Sequence, residues 1–173
     1  MAKLSTKDFK GGLFYRQGKG QPRLIEPRVS VADLRSEYES QVAFVQWCRW
    51  SARLAQHVEP EKAQALLWLF SVPNGLFFGP DAQVRAIIGR KAVASGLTKG
   101  VYDLYLAWPG QGFHGCFIEM KAGKNDLTEE QREFRQAMIL LGYQCLEFWR
   151  WEAAAQAVVS FMGLKKHGEI PPF

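Results

Sequence analysis

Several things are scarce in this chain of 173 residues. No run of eighteen or more apolar residues occurs, so the sequence offers no membrane-spanning helix. Its three cysteines, Cys48, Cys116 and Cys145, lie far apart, and there are only three histidines. Such sparse thiols cannot build the paired framework of a small secreted domain, and they lack the close Cys/His spacing of a zinc site. The opening "MAKLSTKDFKGG" has no apolar stretch of the kind a secretory signal needs. A soluble protein of the reducing cytoplasm is expected, with no membrane partner and no small-molecule organic cofactor. Internal repeats and low-complexity tracts are also missing.

What is present is ordinary globular material. Hydrophobic residues make up 47% and charged residues 23%, and the length suits one domain with a real core. The charge is unevenly spread. Residues 1–30 hold seven basic residues (Lys3, Lys7, Lys10, Arg16, Lys19, Arg23, Arg28) against Asp8 and Glu26, so they carry the whole formal net charge of +5. The remainder has fifteen residues of each sign. The expected organisation is a basic, Gly-rich arm or extension over 1–30, suited to phosphates or simply to solvation, and a folded domain over 31–173.

Apolar spacing predicts a helix from Leu34 to about His57, with Pro60 ending it or starting the next. The apolar run Leu66 to Val72 enters the turn signal Pro73-Asn74-Gly75 as a short strand. Asp81 can cap a helix continuing through Ala94, with Gly96 as its stop. "VYDLYLAW" (101–108) reads as a strand, Pro109-Gly110 turns it, and "GCFIEMK" (115–121) follows as its antiparallel partner. "LTEEQREFRQAMILLG" is a helix started at Asp126 or Thr128, "YQCLEFWRW" a further strand, and "EAAAQAVVSFMGLKK" a last helix. This order predicts an α/β fold with a mixed central sheet flanked by helices.

The chemistry concentrates at the end of "CFIEMK". Alternation puts Phe117, Glu119 and Lys121 on one strand face and Ile118 and Met120 on the other. Asp103 is the lone charge in the neighbouring apolar strand, and a buried carboxylate is costly unless paired or bound to metal. In antiparallel neighbours, Asp103 and Glu119 can converge. Two such carboxylates repel, and a hard divalent cation is the usual remedy. A bound cation lowers the pKa of water and clamps a phosphoryl oxygen, while a lysine beside it stabilises added negative charge. Asp103, Glu119 and Lys121 together suit phosphodiester hydrolysis. A Glu-x-Lys triplet alone reads as a salt bridge; Asp103 one hairpin earlier and the polar-started helix just after shift the balance.

These residues resemble a known family. "GVYD" followed by "FIEMK" is similar to the D…(D/E)-x-K core of the PD-(D/E)xK nuclease superfamily, with Tyr102 where proline is usual. "ESQVAFVQW" (39–47), "VPNG" (72–75), the block 96–131 and "LGYQCLEFW" (141–149) resemble a stand-alone VRR-NUC domain over roughly residues 35–160. The resemblance implies a restriction-endonuclease-like core and an endonuclease dependent on Mg²⁺ or Mn²⁺. It implies Asp103, Glu119 and the Met120 backbone carbonyl as metal ligands and Lys121 as the catalytic lysine. It also implies Glu39 as an additional first-helix acid orienting water or a second metal, with Glu37 as its substitute, and Gln131 facing the site.

Phosphate contacts need cations. Arg85, Arg90, Lys91 and Lys99 precede the core block and Lys124 follows it; solvation of a helix accounts for Arg85 and Lys91 equally well. Asn74 and Gly75 suit substrate contact and a plain turn alike. His114 reads as a hairpin residue. By resemblance the protein is a homodimer cutting branched DNA, including four-way (Holliday) junctions, since two sites on a two-fold axis can cut two strands. The alternatives are a catalytically inactive DNA-binding module, a restriction-type sequence-specific endonuclease, and a structural partner in a DNA-processing complex.

Overall fold

The computed structural model describes residues 36–72 and 81–172. The basic arm, the boundary at residue 31, and Asn74 and Gly75 lie outside them. Among the described residues, five helices and four strands follow in the order α1 (Glu37–Ala55), α2 (Pro60–Leu67), β1 (Phe70–Ser71), α3 (Ala82–Ala94), β2 (Leu104–Leu106), β3 (Cys116–Met120), α4 (Glu129–Leu140), β4 (Gln144–Phe148) and α5 (Trp151–Met162).

Local chemistry sets the boundaries. Ser36 and Glu39 form a capping box at the start of α1, which satisfies two backbone donors that the helix leaves unpaired. Pro60 opens α2 at a position where its missing N–H costs nothing. Asp81 caps α3 by accepting from the N–H groups of Gln83 and Val84 at 2.8 and 2.9 Å. Thr128 and Gln131 repeat the capping box at α4. Gly163, in the left-handed conformation with φ 59°, closes α5.

The sheet has strand order β1-β2-β3-β4. β1 and β2 are antiparallel, β2 and β3 are antiparallel, and β3 and β4 are parallel. The mixed sheet and the 104–118 hairpin therefore match the expectation from sequence. The second strand is shorter than expected, only three residues. Before it, Asp103 turns its backbone N–H to the Glu119 carboxylate and its own carboxylate to the Met120 N–H.

The sheet divides the molecule. Leu104, Leu106, Cys116, Ile118 and Met120 are fully buried on one face, in one core with Phe44, Trp47 and Cys48 of α1 and Trp151, Ala154, Ala155 and Val158 of α5. Each such large side chain contributes about 1.5–3 kcal/mol by leaving water. The opposite face carries Phe117 and Tyr105, whose rings lie 4.6 Å apart, and Phe134 of α4 packs edge-on to Phe117 at 5.0 Å. Thus α1 and α5 form one layer and α4 the other. Helix α3 has no buried residue and presents Val84, Ile87 and Val93 to solvent.

Candidate active site

The site forms where β3 ends. Its carboxylates arrive on adjacent segments: Asp103 just before β2 and Glu119 within β3. The Asp103 N–H donates to Glu119 Oε2 at 3.2 Å, and Asp103 Oδ2 accepts from the Met120 N–H at 3.1 Å. The Asp103 carbonyl accepts from the Val72 N–H at 2.8 Å, which ties the bend to the strand before it. Asp103 and Glu119 are brought together, as their strand positions require.

Lys121 completes the group. Its Nζ donates to Glu119 Oε1 at 2.8 Å and to Gln131 Oε1 at 2.9 Å. Glu119 is 3% exposed and Lys121 6%, so both charges sit where water screens them little. Gln131 reaches the site from the first turn of α4. Its Nε2 donates to Glu119 Oε1 at 2.5 Å, while its Oε1 also accepts from the Thr128 N–H at 3.0 Å. One side chain thus closes the helix cap and holds the acid–amine pair.

Burial raises the Asp103 carboxyl above its ordinary range, with the Glu37 charge adding to the rise; the Met120 N–H and Lys121 oppose it. Burial likewise raises Glu119, and the charge of Asp103 pushes the same way. Two carboxyls with raised pKa values beside one ammonium make a set that a further cation would stabilise. Among the described residues no group of three or more His, Cys, Asp or Glu is placed to hold a metal ion. The available donors are two carboxylates and backbone carbonyls. That all-oxygen set fits Mg²⁺ or Mn²⁺, which keep several waters, and does not suit zinc.

The first-helix acids divide their work. Glu39 is exposed and accepts from Ser36 N and Ser36 Oγ at 3.2 and 2.9 Å, so it serves the cap. Glu37 is the one that meets the site. Its Oε1 accepts from the Ala122 N–H and from Asn125 Nδ2, both at 3.2 Å, which pins the loop leaving Lys121. The reason is register: a residue at the third helical position folds back on its cap, while the first can point to the sheet end.

The basic residues singled out from the sequence lie on the surface. Arg85, Arg90 and Lys91 are exposed on α3, Lys99 on the loop before Asp103, and Lys124 on the turn after Lys121. A groove of about 420 Å³ runs between α3 and the start of α4, lined by Gly89, Val93, Lys99, Thr128 and Gln131 among others. Lys99 and Gln131 therefore line the same groove. His114 lies in the hairpin, its ring 5.7 Å from that of Tyr143, which accounts for it without a ligand role.

Sequence reasoning missed a second polar group beside the first. Glu147 of β4 is the register partner of Glu119. Its Oε1 accepts from the hydroxyl of fully buried Tyr102 and forms an ion pair with Arg135 Nε of α4 at 3.1 Å. The charged Glu147 inside "YQCLEFW" was the available signal.

No family model and no curated protein matches this chain. Among solved structures, a "VRR_NUC domain protein" superposes with a TM-score of 0.55 at 16% identity, covering 79% of this chain and 96% of the other. The protein therefore has a fold like that of a VRR_NUC domain protein, a four-stranded mixed sheet flanked by helices.

Proposed function

We propose that this protein is a metal-dependent endonuclease that hydrolyses DNA phosphodiester bonds. The observation that carries the reading is the convergence of Asp103 and Glu119 from adjacent segments, both with raised pKa values, beside the buried ammonium of Lys121. The fold it shares with a VRR_NUC domain protein supports a nuclease. Asp103, Glu119 and the Met120 carbonyl would hold Mg²⁺ or Mn²⁺. When bound, such an ion would supply Lewis-acid polarisation of the phosphoryl oxygen and a water of lowered pKa.

The chain's own residues do the rest. Lys121 offsets the charge that grows on the phosphoryl oxygens in the transition state. Gln131 fixes the ammonium and the Glu119 carboxylate in one geometry. Glu37 holds the loop after Lys121 and adds negative charge near Asp103. Arg85, Arg90, Lys91, Lys99 and Lys124 meet backbone phosphates, and this gives affinity without sequence preference. The resemblance of its motifs supports branched DNA as substrate and a two-fold dimer as the acting form.

The test is incubation of purified protein with Mg²⁺ or Mn²⁺ and labelled four-way, flap, duplex and single-stranded DNA. Metal-dependent cleavage that vanishes in Asp103→Asn and Lys121→Met, with folding retained, is expected. Cleavage unaffected by either substitution refutes the assignment. Sedimentation as a monomer at micromolar concentration counts against the junction-cutting dimer.

A further inference from the structure

The residue before Asp103 departs from the motif this chain otherwise follows. A proline there would fix φ and so constrain the bend that aims the carboxylate. Tyr102 places no such covalent restraint on φ, yet it is fully buried, and its surroundings are specific. Its ring packs 5.6 Å from that of Phe134 on α4. Its hydroxyl donates to Glu147 Oε1, and that oxygen is also paired with Arg135 of α4.

Register makes this contact matter to the site. Glu119 and Glu147 are direct partners on neighbouring parallel strands, and partners in register face the same side of a sheet about 4.8 Å apart. Each therefore needs its own compensation. Glu119 spends Oε1 on Lys121 and Gln131; Glu147 spends Oε1 on Tyr102 and Arg135. Gln131 and Arg135 stand one turn apart on α4, with Phe134 between them, so one helix face serves both acids. The Arg135 contact is an ion pair without the alignment of a hydrogen bond, which leaves the Tyr102 hydroxyl as the aligned donor to that oxygen.

We propose that Tyr102 is a positioning residue: its hydroxyl, anchored through Glu147 to Arg135, fixes the bend that aims the Asp103 carboxylate for metal binding. The inference rests on the metal-site reading above. Outer contacts of this kind change metal affinity about 10–100-fold when removed.

Mn²⁺ binding to the full chain, titrated calorimetrically without DNA, tests it. Tyr102→Phe keeps the ring and loses only the hydroxyl. The expected result is a Mn²⁺ midpoint raised about tenfold, with DNA affinity in chelator unchanged and kcat recovering at saturating Mn²⁺. A purely structural role would lower the unfolding temperature and leave the Mn²⁺ midpoint of folded protein unmoved. A midpoint within twofold of the parent overturns the proposal. If Tyr102→Phe fails to fold, Glu147→Leu carries the same test, since it removes the acceptor of the Tyr102 hydroxyl. Asp103→Asn separates the two readings. If Asp103→Asn binds Mn²⁺ like the parent, the metal site itself is wrong; if it loses binding while Tyr102→Phe does not, only the role of Tyr102 falls.

Discussion

Replacing Lys121 by methionine probes the central ion pair most directly. The ammonium sits 2.8 Å from Glu119 Oε1, and both side chains are almost inaccessible to water. Removing one partner of a buried pair costs about 3–5 kcal/mol, because the other is left charged and desolvated. Two features lower that figure. Glu119 keeps the Gln131 amide and the Asp103 N–H as donors, and its carboxyl already has a raised pKa, so it can take up a proton. A loss of about 2–3 kcal/mol at pH 8 follows, or roughly 5–10 °C in unfolding temperature for a chain of this size. The loss must depend on pH. Without the ammonium the folded carboxyl titrates higher still, so its stabilising protonation is complete below the unfolded value and is lost as pH rises through the folded one. Thermal unfolding by circular dichroism in chelator, at pH 8 and pH 5, reads both quantities. A deficit equal at the two pH values, or none at pH 8, would refute the account of Lys121 as the counter-charge of Glu119. Cleavage at saturating metal should fall on the order of 10²–10³-fold.

Because Asp103 and Glu119 both have raised pKa values, the metal-free protein should gain stability as pH falls from 8 toward 5, and Mn²⁺ binding should weaken over the same interval; differential scanning fluorimetry with and without Mn²⁺ measures both. Glu39→Ala should cost about 0.5–2 kcal/mol through the lost capping box and leave metal-dependent cleavage near that of the parent, whereas Glu37→Ala should lower cleavage with a smaller stability change; urea unfolding beside a cleavage assay distinguishes them. Gly100→Ala should destabilise by about 1–3 kcal/mol, since Gly100 has φ +83° and a Cβ there would strike the Glu130 carbonyl. Its signature is a lower urea midpoint with unchanged slope.

Much of the fold was legible because its signals are local. Caps at Asp81 and Thr128 and the alternation in "CFIEM" each act within a few residues. The convergence of Asp103 and Glu119 was legible for a related reason: a short hairpin fixes which residues lie opposite. What stayed hidden depends on long-range register. The choice between Glu37 and Glu39 turned on where α1 begins relative to the sheet end. The Tyr102–Glu147–Arg135 group joins a bend, a strand and a helix far apart in sequence, and only the parallel pairing of β3 with β4 puts Glu147 beside Glu119.

Gln131 has a consequence for how damage spreads. The same amide that starts α4 also steadies the ammonium and its acid, so fraying of that first turn releases the charges at the same moment. Helix opening and loss of a competent site are then one event. Backbone amides near Thr128 should report, through their exchange with deuterated solvent, how often the protein is switched off.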